Sequence, residues 1–376
     1  MIPIKALQNP KYNLSSVKQN SYFSSWDPKE VVSFHQKLDN KETPLLRLPG
    51  LAKRLGVGNL LLKDESHRFG LNAFKILGAS YAMQKQVEKF PQIKIFCAAT
   101  DGNHGRSVAW MARQLGRKAI IYMPKGTVTD RVKSIEQEGA EVFVINEGYD
   151  AAVKMANSHV NNGNKTGEHS WSLIQDTAWI GYEEVPLDIM KGYWTQIDEI
   201  TRQIRKDKID VLFLQSGVGS WAASIIGYIL KQWPNPPICI SVEPHSKNCL
   251  FESIKAGYRV SVKNDEITIM SGLNCGSVST LAWSILQNEL RGSISISDEL
   301  SKEAMKTLAR PISGDPVVIS GASGASGLGA LIGLCLTDEC IDFKENIFLN
   351  KTSSVLVINT EGDTDPSNYQ HVVGAI

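Results

Sequence analysis

The 376-residue sequence predicts an α/β fold of mostly parallel sheets covered by helices. Three observations predict it. Short β-branched and aliphatic runs alternate with stretches whose apolar residues recur at helical spacing, the pattern of parallel strands joined by crossover helices. The hydrophobic share of 42% and the charged share of 21% are those of a folded chain long enough to bury a substantial core. Polar and glycine-rich segments follow directly on several of the apolar runs, where open α/β sheets place their ligands.

The elements follow in order. The first forty residues, with Ser15-Ser16, Ser24-Ser25 and Asp27-Pro28, read as irregular surface chain. Thr43-Pro44-Leu45 opens an extended stretch, Leu60 to Lys63 reads as a strand and Asn72 to Gln84 as a helix. Then come a strand at Lys94–Ala98, a helix at His104–Leu115, a strand at Ala119–Met123, a helix at Thr129–Gln137, a strand at Val142–Ile145 and a helix at Tyr149–His159. Asn161 to Glu168 reads as a loop. Later strands are Val211–Leu214, Ile238–Val242 and Val355–Asn359. No internal repeat or low-complexity tract interrupts them.

Charge and composition exclude several function classes. Lys plus Arg is 40 and Asp plus Glu is 39, a net charge of +1, so nucleic acid is not the expected partner. No window approaches the roughly 18 uninterrupted apolar residues of a membrane span. Met1-Ile2-Pro3-Ile4-Lys5 lacks a charged segment followed by an apolar one, so the expectation is no secretory signal and a cytoplasmic setting. Six cysteines contain no CxxC, which supports neither a zinc site nor a thioredoxin-type motif, and no metal is expected.

Six segments can carry chemistry. Val211 to Leu214 runs into Gln215-Ser216-Gly217-Val218-Gly219-Ser220 and a helix from Trp221: glycines that let backbone approach an anion, at a helix start whose N–H groups are free. This is a phosphate cradle or a plain tight turn. It is not a dinucleotide fingerprint, because the third glycine is missing. Asp101-Gly102-Asn103-His104-Gly105 crowds another strand end with more polar groups than an N-cap requires. Lys75, between Phe74 and Ile76, is either a snorkelling lysine or a desolvated amine nucleophile of lowered pKa. Gln175-Asp176 follows an apolar pair, Ile319 to Leu328 reads as a small-residue loop, and Thr360 closes the last strand. A desolvated lysine, a phosphate cradle and a hydroxyl for a ring nitrogen together describe a pyridoxal 5'-phosphate site.

The sequence resembles the fold type II pyridoxal phosphate enzymes. The resemblance is carried by Lys63-Asp64-Glu65-Ser66, Arg68 to Lys75, Asp101 to Arg106, Tyr122 to Gly126, Gln175 to Trp179, Gly217-Val218-Gly219 and Thr360 to Asp365, in that order. It implies a tryptophan synthase β-like architecture: two open twisted mostly parallel sheets covered by helices. A large cofactor-binding domain would comprise 1–78 and 185–376, and a small domain 79–184. Within the family the motifs are most similar to the branch that eliminates ammonia from 2,3-diaminopropionate. The implied product is pyruvate with ammonia, the implied partner a small amino-acid substrate, and the implied working unit a homodimer. The alternative is β-elimination or β-replacement on another β-substituted amino acid, as in serine and threonine dehydratases.

Residue by residue, the resemblance makes Lys75 the Schiff-base lysine, with Phe74 beside it in the cofactor pocket. Asn103 partners the cofactor's phenolic oxygen. Gly217, Val218, Gly219 and Ser220 form the phosphate loop, and Thr360 faces the ring nitrogen. Asp101 and Asp176 become the acidic pair for proton abstraction and substrate-amine recognition. Cys249 and Cys275 match a disulfide near the site entrance. Two departures remove carboxylates: Ala322 stands where the family carries Glu, and Ser277-Val278-Ser279-Thr280 where it carries Glu-Pro-Asn-Pro. Two other classes compete. A nucleotide-dependent oxidoreductase is disfavoured by the missing third glycine, and a non-catalytic binding protein by the presence of Lys75, Asp101 and Asp176.

Overall fold

The computed structural model describes residues 3–12, 23–100, 102–165, 167, 169–204, 207–263 and 266–374. Among these residues eleven strands form two sheets. They are β1 (Ile4–Gln8), β2 (Leu45–Arg47), β3 (Asn59–Asp64), β4 (Ile95–Ala99), β5 (Lys118–Met123), β6 (Glu141–Val144), β7 (Trp171–Leu173), β8 (Val211–Gln215), β9 (Ile238–Pro244), β10 (Gly292–Ile296) and β11 (Ser354–Asn359). The larger sheet has the order β1-β10-β9-β8-β11-β3-β2. Its inner strands are parallel, and β1 and β2 close the two edges antiparallel. The smaller sheet, β6-β5-β4-β7, is wholly parallel. The expected pair of mostly parallel sheets is present.

The central strands owe their position to composition. Every residue of β8 and of β11 is buried, as a strand sandwiched between helix layers must be. Val355, Leu356, Val357 and Ile358 each gain roughly 1.5–3 kcal/mol on leaving water. The layers differ in content. One face packs on Phe74, Tyr193, Trp194 and Trp221, the other on the small-residue helix Ala322–Leu336.

Four expectations are corrected. The first forty residues are not irregular throughout: β1 pairs with β10, and Pro28–Lys37 is a helix, with the Asp27 carboxylate capping the Lys29 N–H and proline in the first turn. Asn72 does not open a helix. Phe69, Gly70 and Asn72 have φ of 52°, 71° and 58°, so the helix starts at Lys75 and runs to Lys89. The helix from Tyr149 continues to Gly163, into the expected loop. Ile319–Leu328 is not a loop beyond Gly321, because small residues there let the helix from Ala322 pack closely: a Cβ on Gly324 would lie 2.4 Å from Asn359 Oδ1.

Candidate active site

The cleft lies beyond the carboxyl ends of β4, β8 and β11, where the two sheets face each other, and encloses about 860 Å³, part of it open to solvent. Lys75 reaches it through its local chain. The segment before it is strapped to the end of β11: Phe74 N–H donates to Thr360 O at 3.2 Å, and Gly362 N–H to Asn72 O at 2.8 Å. Three left-handed residues turn the chain sharply there, and Lys75 emerges at the head of its helix. Phe74 fills the floor, 5.3 Å from the Trp221 ring and 5.0 Å from Tyr193.

Lys75 Nζ meets Asp176 Oδ2 at 2.5 Å, with side-chain exposures of 19% and 9%. Burial works against the Lys75 charge, but the Asp176 carboxylate and the Tyr193 phenol outweigh it and hold the ammonium above its ordinary value. This corrects the expected lowering. The desolvating neighbours are present, and a carboxylate stands among them. Asp176 responds reciprocally. Burial favours its neutral form, yet the Lys75 ammonium keeps it below the usual carboxylate value. Its backbone is pinned as well, since Ser220 Oγ donates to Asp176 O at 2.6 Å.

The turn after β8 presents the free backbone donors that an anion site needs. The N–H groups of Gly217, Val218 and Gly219 donate to no acceptor among the described residues, and the helix Ser220–Gln232 adds the free donors of its first turn. Gly219 has φ of 85°, and a Cβ on Gly217 would meet both Cys275 Sγ and Gly272 O at 3.0 Å. Cys249 donates to Gly217 O at 3.9 Å, and burial pushes its thiol well above its usual value. Cys249 and Cys275 are both buried and are not joined in the disulfide that the resemblance implies.

Thr360 lines the cleft at the end of β11. Its Oγ1 accepts from Gln215 Nε2 at 3.1 Å, which leaves the hydroxyl proton to donate elsewhere. Asn103 heads the helix Asn103–Gln114 and donates through Nδ2 to Glu361 Oε2 at 2.5 Å. The structure therefore brings together Phe74, Lys75, Asn103, Asp176, Gly217, Val218, Gly219, Ser220 and Thr360 around one cleft. Asp101 lies outside the described residues.

Sequence reasoning passed over His104, Gln215, Ser323 and Glu361, which line the same cleft. His104 Nε2 pairs with Ile174 O at 2.7 Å, which fixes the proton there and leaves Nδ1 buried without a partner. Burial lowers its pKa, so the ring is neutral. His104 and Glu361 stand inside motifs singled out for other residues. Gln215, the last residue of an apolar strand, was a readable signal. Ala322 is different: its side chain packs in the core, and the neighbouring Ser323 faces the cleft. The missing carboxylate at 322 leaves the cleft wall intact.

A helix start with free N–H groups accommodates a phosphate, and a lysine in the same cleft can form an imine with an aldehyde. The fold and the cleft thus define an α/β enzyme suited to a phosphorylated aldehyde cofactor. The chain belongs to the family described as pyridoxal-phosphate dependent enzyme, whose match spans residues 37–358. It is 42% identical to diaminopropionate ammonia-lyase of Escherichia coli K12 over 93% of this chain and 92% of that protein. The Salmonella typhimurium protein of the same name is also 42% identical, over 92% of this chain and 91% of its own length. Among solved structures, the Escherichia coli enzyme in complex with an aminoacrylate-PLP azomethine reaction intermediate superposes with a TM-score of 0.91 at 39% identity. It covers 100% of this chain and 97% of its own.

Proposed function

We propose that this chain is a carbon–nitrogen lyase that releases ammonia from 2,3-diaminopropionate and yields pyruvate. The observation that carries the reading is the Lys75–Asp176 pair, 2.5 Å apart in the cleft beside the amide cradle. Lys75 would hold pyridoxal phosphate, which would supply the electron sink that lets the Cα proton leave.

The chain's own groups divide the remaining work. Gly217, Val218, Gly219 and Ser220 offer backbone N–H groups to the phosphate. Thr360 would offer its hydroxyl hydrogen bond to the cofactor's ring nitrogen, and Asn103 would donate one to the phenolic oxygen. Lys75, as a free amine, would take the Cα proton from one face of the substrate. Asp101, through its place in the matching motif, serves the opposite face and so the other enantiomer. Asp176 holds the substrate's second ammonium by a charge-assisted hydrogen bond. We extend the reading to a large domain of 1–78 and 185–376 and a small domain of 79–184. A homodimer in the cytoplasm is the expected working form, and sedimentation checks the dimer.

The test is a panel of β-substituted amino acids in both enantiomers, assayed for pyruvate and ammonia. 2,3-Diaminopropionate is expected to be the best substrate, with two ammonia per pyruvate. Serine or another β-substituted amino acid turning over faster would transfer the assignment to the dehydratase-like or β-replacement alternative. In the same preparation, borohydride reduction is expected to fix cofactor to the wild type and not to Lys75→Ala.

A further inference from the structure

We propose that Glu361 is a positioning residue that sets which way the Asn103 side-chain amide faces the cofactor. The inference rests on the reading of Asn103 just given. Glu361 is 3% exposed, lines the cleft and follows Thr360 at the end of β11. Its carboxylate receives three donors from three places. Oε1 accepts the Ser323 N–H at 3.1 Å, in the first turn of the helix Ala322–Leu336. Oε2 accepts Asn103 Nδ2 at 2.5 Å and Thr364 Oγ1 at 3.2 Å. A carboxylate can only accept, so every group it meets must present a hydrogen.

That constraint selects one orientation of Asn103. Turned over, the amide would aim Oδ1 at Oε2, oxygen against oxygen in a buried site. The amide nitrogen carries two hydrogens. Glu361 engages one, and the other remains on the same nitrogen for the cofactor's phenolic oxygen. Asn103 belongs to the segment after β4 in the smaller sheet, and Glu361 ends a strand of the larger sheet. The contact therefore also registers the two sheets across the cleft. Asp130, accepting from Ser367 Oγ at 2.8 Å, reinforces the same seam.

The test compares Glu361→Gln with Glu361→Ala. Gln keeps the size and an acceptor for Ser323, but offers an N–H where Asn103 now donates. Relief of that clash turns the Asn103 amide over and presents oxygen to the phenolic oxygen. Ala removes the partner and leaves Asn103 free to rotate back. Pyridoxal phosphate affinity is measured by fluorescence titration of the apoproteins, and each apoprotein is melted without cofactor. Expected is about a tenfold loss of affinity for Gln, the factor given by a lost hydrogen bond of roughly 1.4 kcal/mol, and at most about threefold for Ala. The melting temperatures are expected in the reverse order, with Ala the less stable. Ala binding cofactor as weakly as Gln, or Gln binding as tightly as wild type, would overturn the proposal. So would a loss beyond tenfold for Ala, whether or not Gln folds. Failure of the site reading itself would show separately, as wild-type protein that forms no borohydride-reducible link through Lys75.

Discussion

At the scale of single residues, Asp176 decides what Lys75 is. Burial alone would make that lysine a weak base, and the carboxylate 2.5 Å away reverses the effect. Asp176→Asn removes the largest of the effects that oppose burial, so the Lys75 amine is expected to lose its proton at lower pH. Only the neutral amine attacks an aldehyde, so apoprotein carrying the substitution should capture pyridoxal phosphate with a lower pH midpoint than wild type. Stopped-flow absorbance from pH 6 to 10 reads the shift: the wild-type rate should still be rising at pH 10, and the variant's should level off earlier. The same variant should raise KM for diaminopropionate relative to serine by about tenfold or more, the loss of one charge-assisted hydrogen bond. An unmoved midpoint would take the control of Lys75 away from Asp176. Lys75 was legible as a candidate nucleophile because Phe74 and Ile76 sit beside it. It hid the pairing because Asp176 lies 101 residues away, and the direction of the pKa shift was misread for that reason.

At the scale of elements, legibility followed burial pattern. β8 and β11 were readable as unbroken apolar runs. β10, Gly-Ser-Ile-Ser-Ile, was not, because its buried serines disguise a buried strand; Ser293 and Ser241 satisfy each other at 2.8 Å. The helix Pro28–Lys37 was missed although Asp27-Pro28 is a helix-start signal. That helix carries His35, fully buried, with Nδ1 paired to Thr195 Oγ1 at 2.6 Å and Nε2 to Leu77 O at 3.0 Å. It thus ties its helix to the one that Lys75 heads. Burial lowers the His35 pKa from 6.5 to about 3. The unfolded chain takes up a proton near pH 6.5 that the folded chain refuses until about pH 3. The stability it contributes is therefore present above 6.5 and lost progressively as pH falls toward 3. His35→Gln should lower the melting temperature at pH 7 through its lost bonds, and the gap to wild type should narrow by pH 4. Parallel melting curves at both pH values, with a constant gap, would rule out His35 as a source of the acid sensitivity.

At the scale of the whole molecule, the site stands on a buried ion network that no local motif announced. Arg68 donates from Nε and Nη2 to Glu65 at 2.7 and 2.8 Å, and from Nη1 and Nη2 to Glu199 at 2.8 and 2.7 Å. Lys63 Nζ adds a bond to Glu199 at 2.8 Å and one to Thr43 O at 2.7 Å. Lys63, Glu65, Arg68 and Glu199 are buried, and their two positive and two negative charges balance. Lys63-Asp64-Glu65-Ser66 and Arg68 were legible as family motifs. Their partner, on the helix Trp194–Ile204, was not, because Glu199 is 131 residues from Arg68. The network anchors the N-terminal end of the left-handed turn at Phe69, Gly70 and Asn72, the turn that delivers Lys75 to the cleft. Glu199→Ala strips Arg68 and Lys63 of their shared counter-charge and leaves net positive charge in a dry interior. Removing one member of such a group costs about 3–5 kcal/mol, mostly through the charges left behind. Glu199→Gln keeps an acceptor for one donor and should cost less. Urea unfolding of the two apoproteins against wild type checks the order, and a cost below about 1 kcal/mol for Glu199→Ala would show that water reaches the network. Because the turn leads into Lys75, the Ala variant should also form its borohydride-reducible cofactor link more slowly than Gln. Stability and cofactor attachment should therefore fall together at a residue that does not line the cleft.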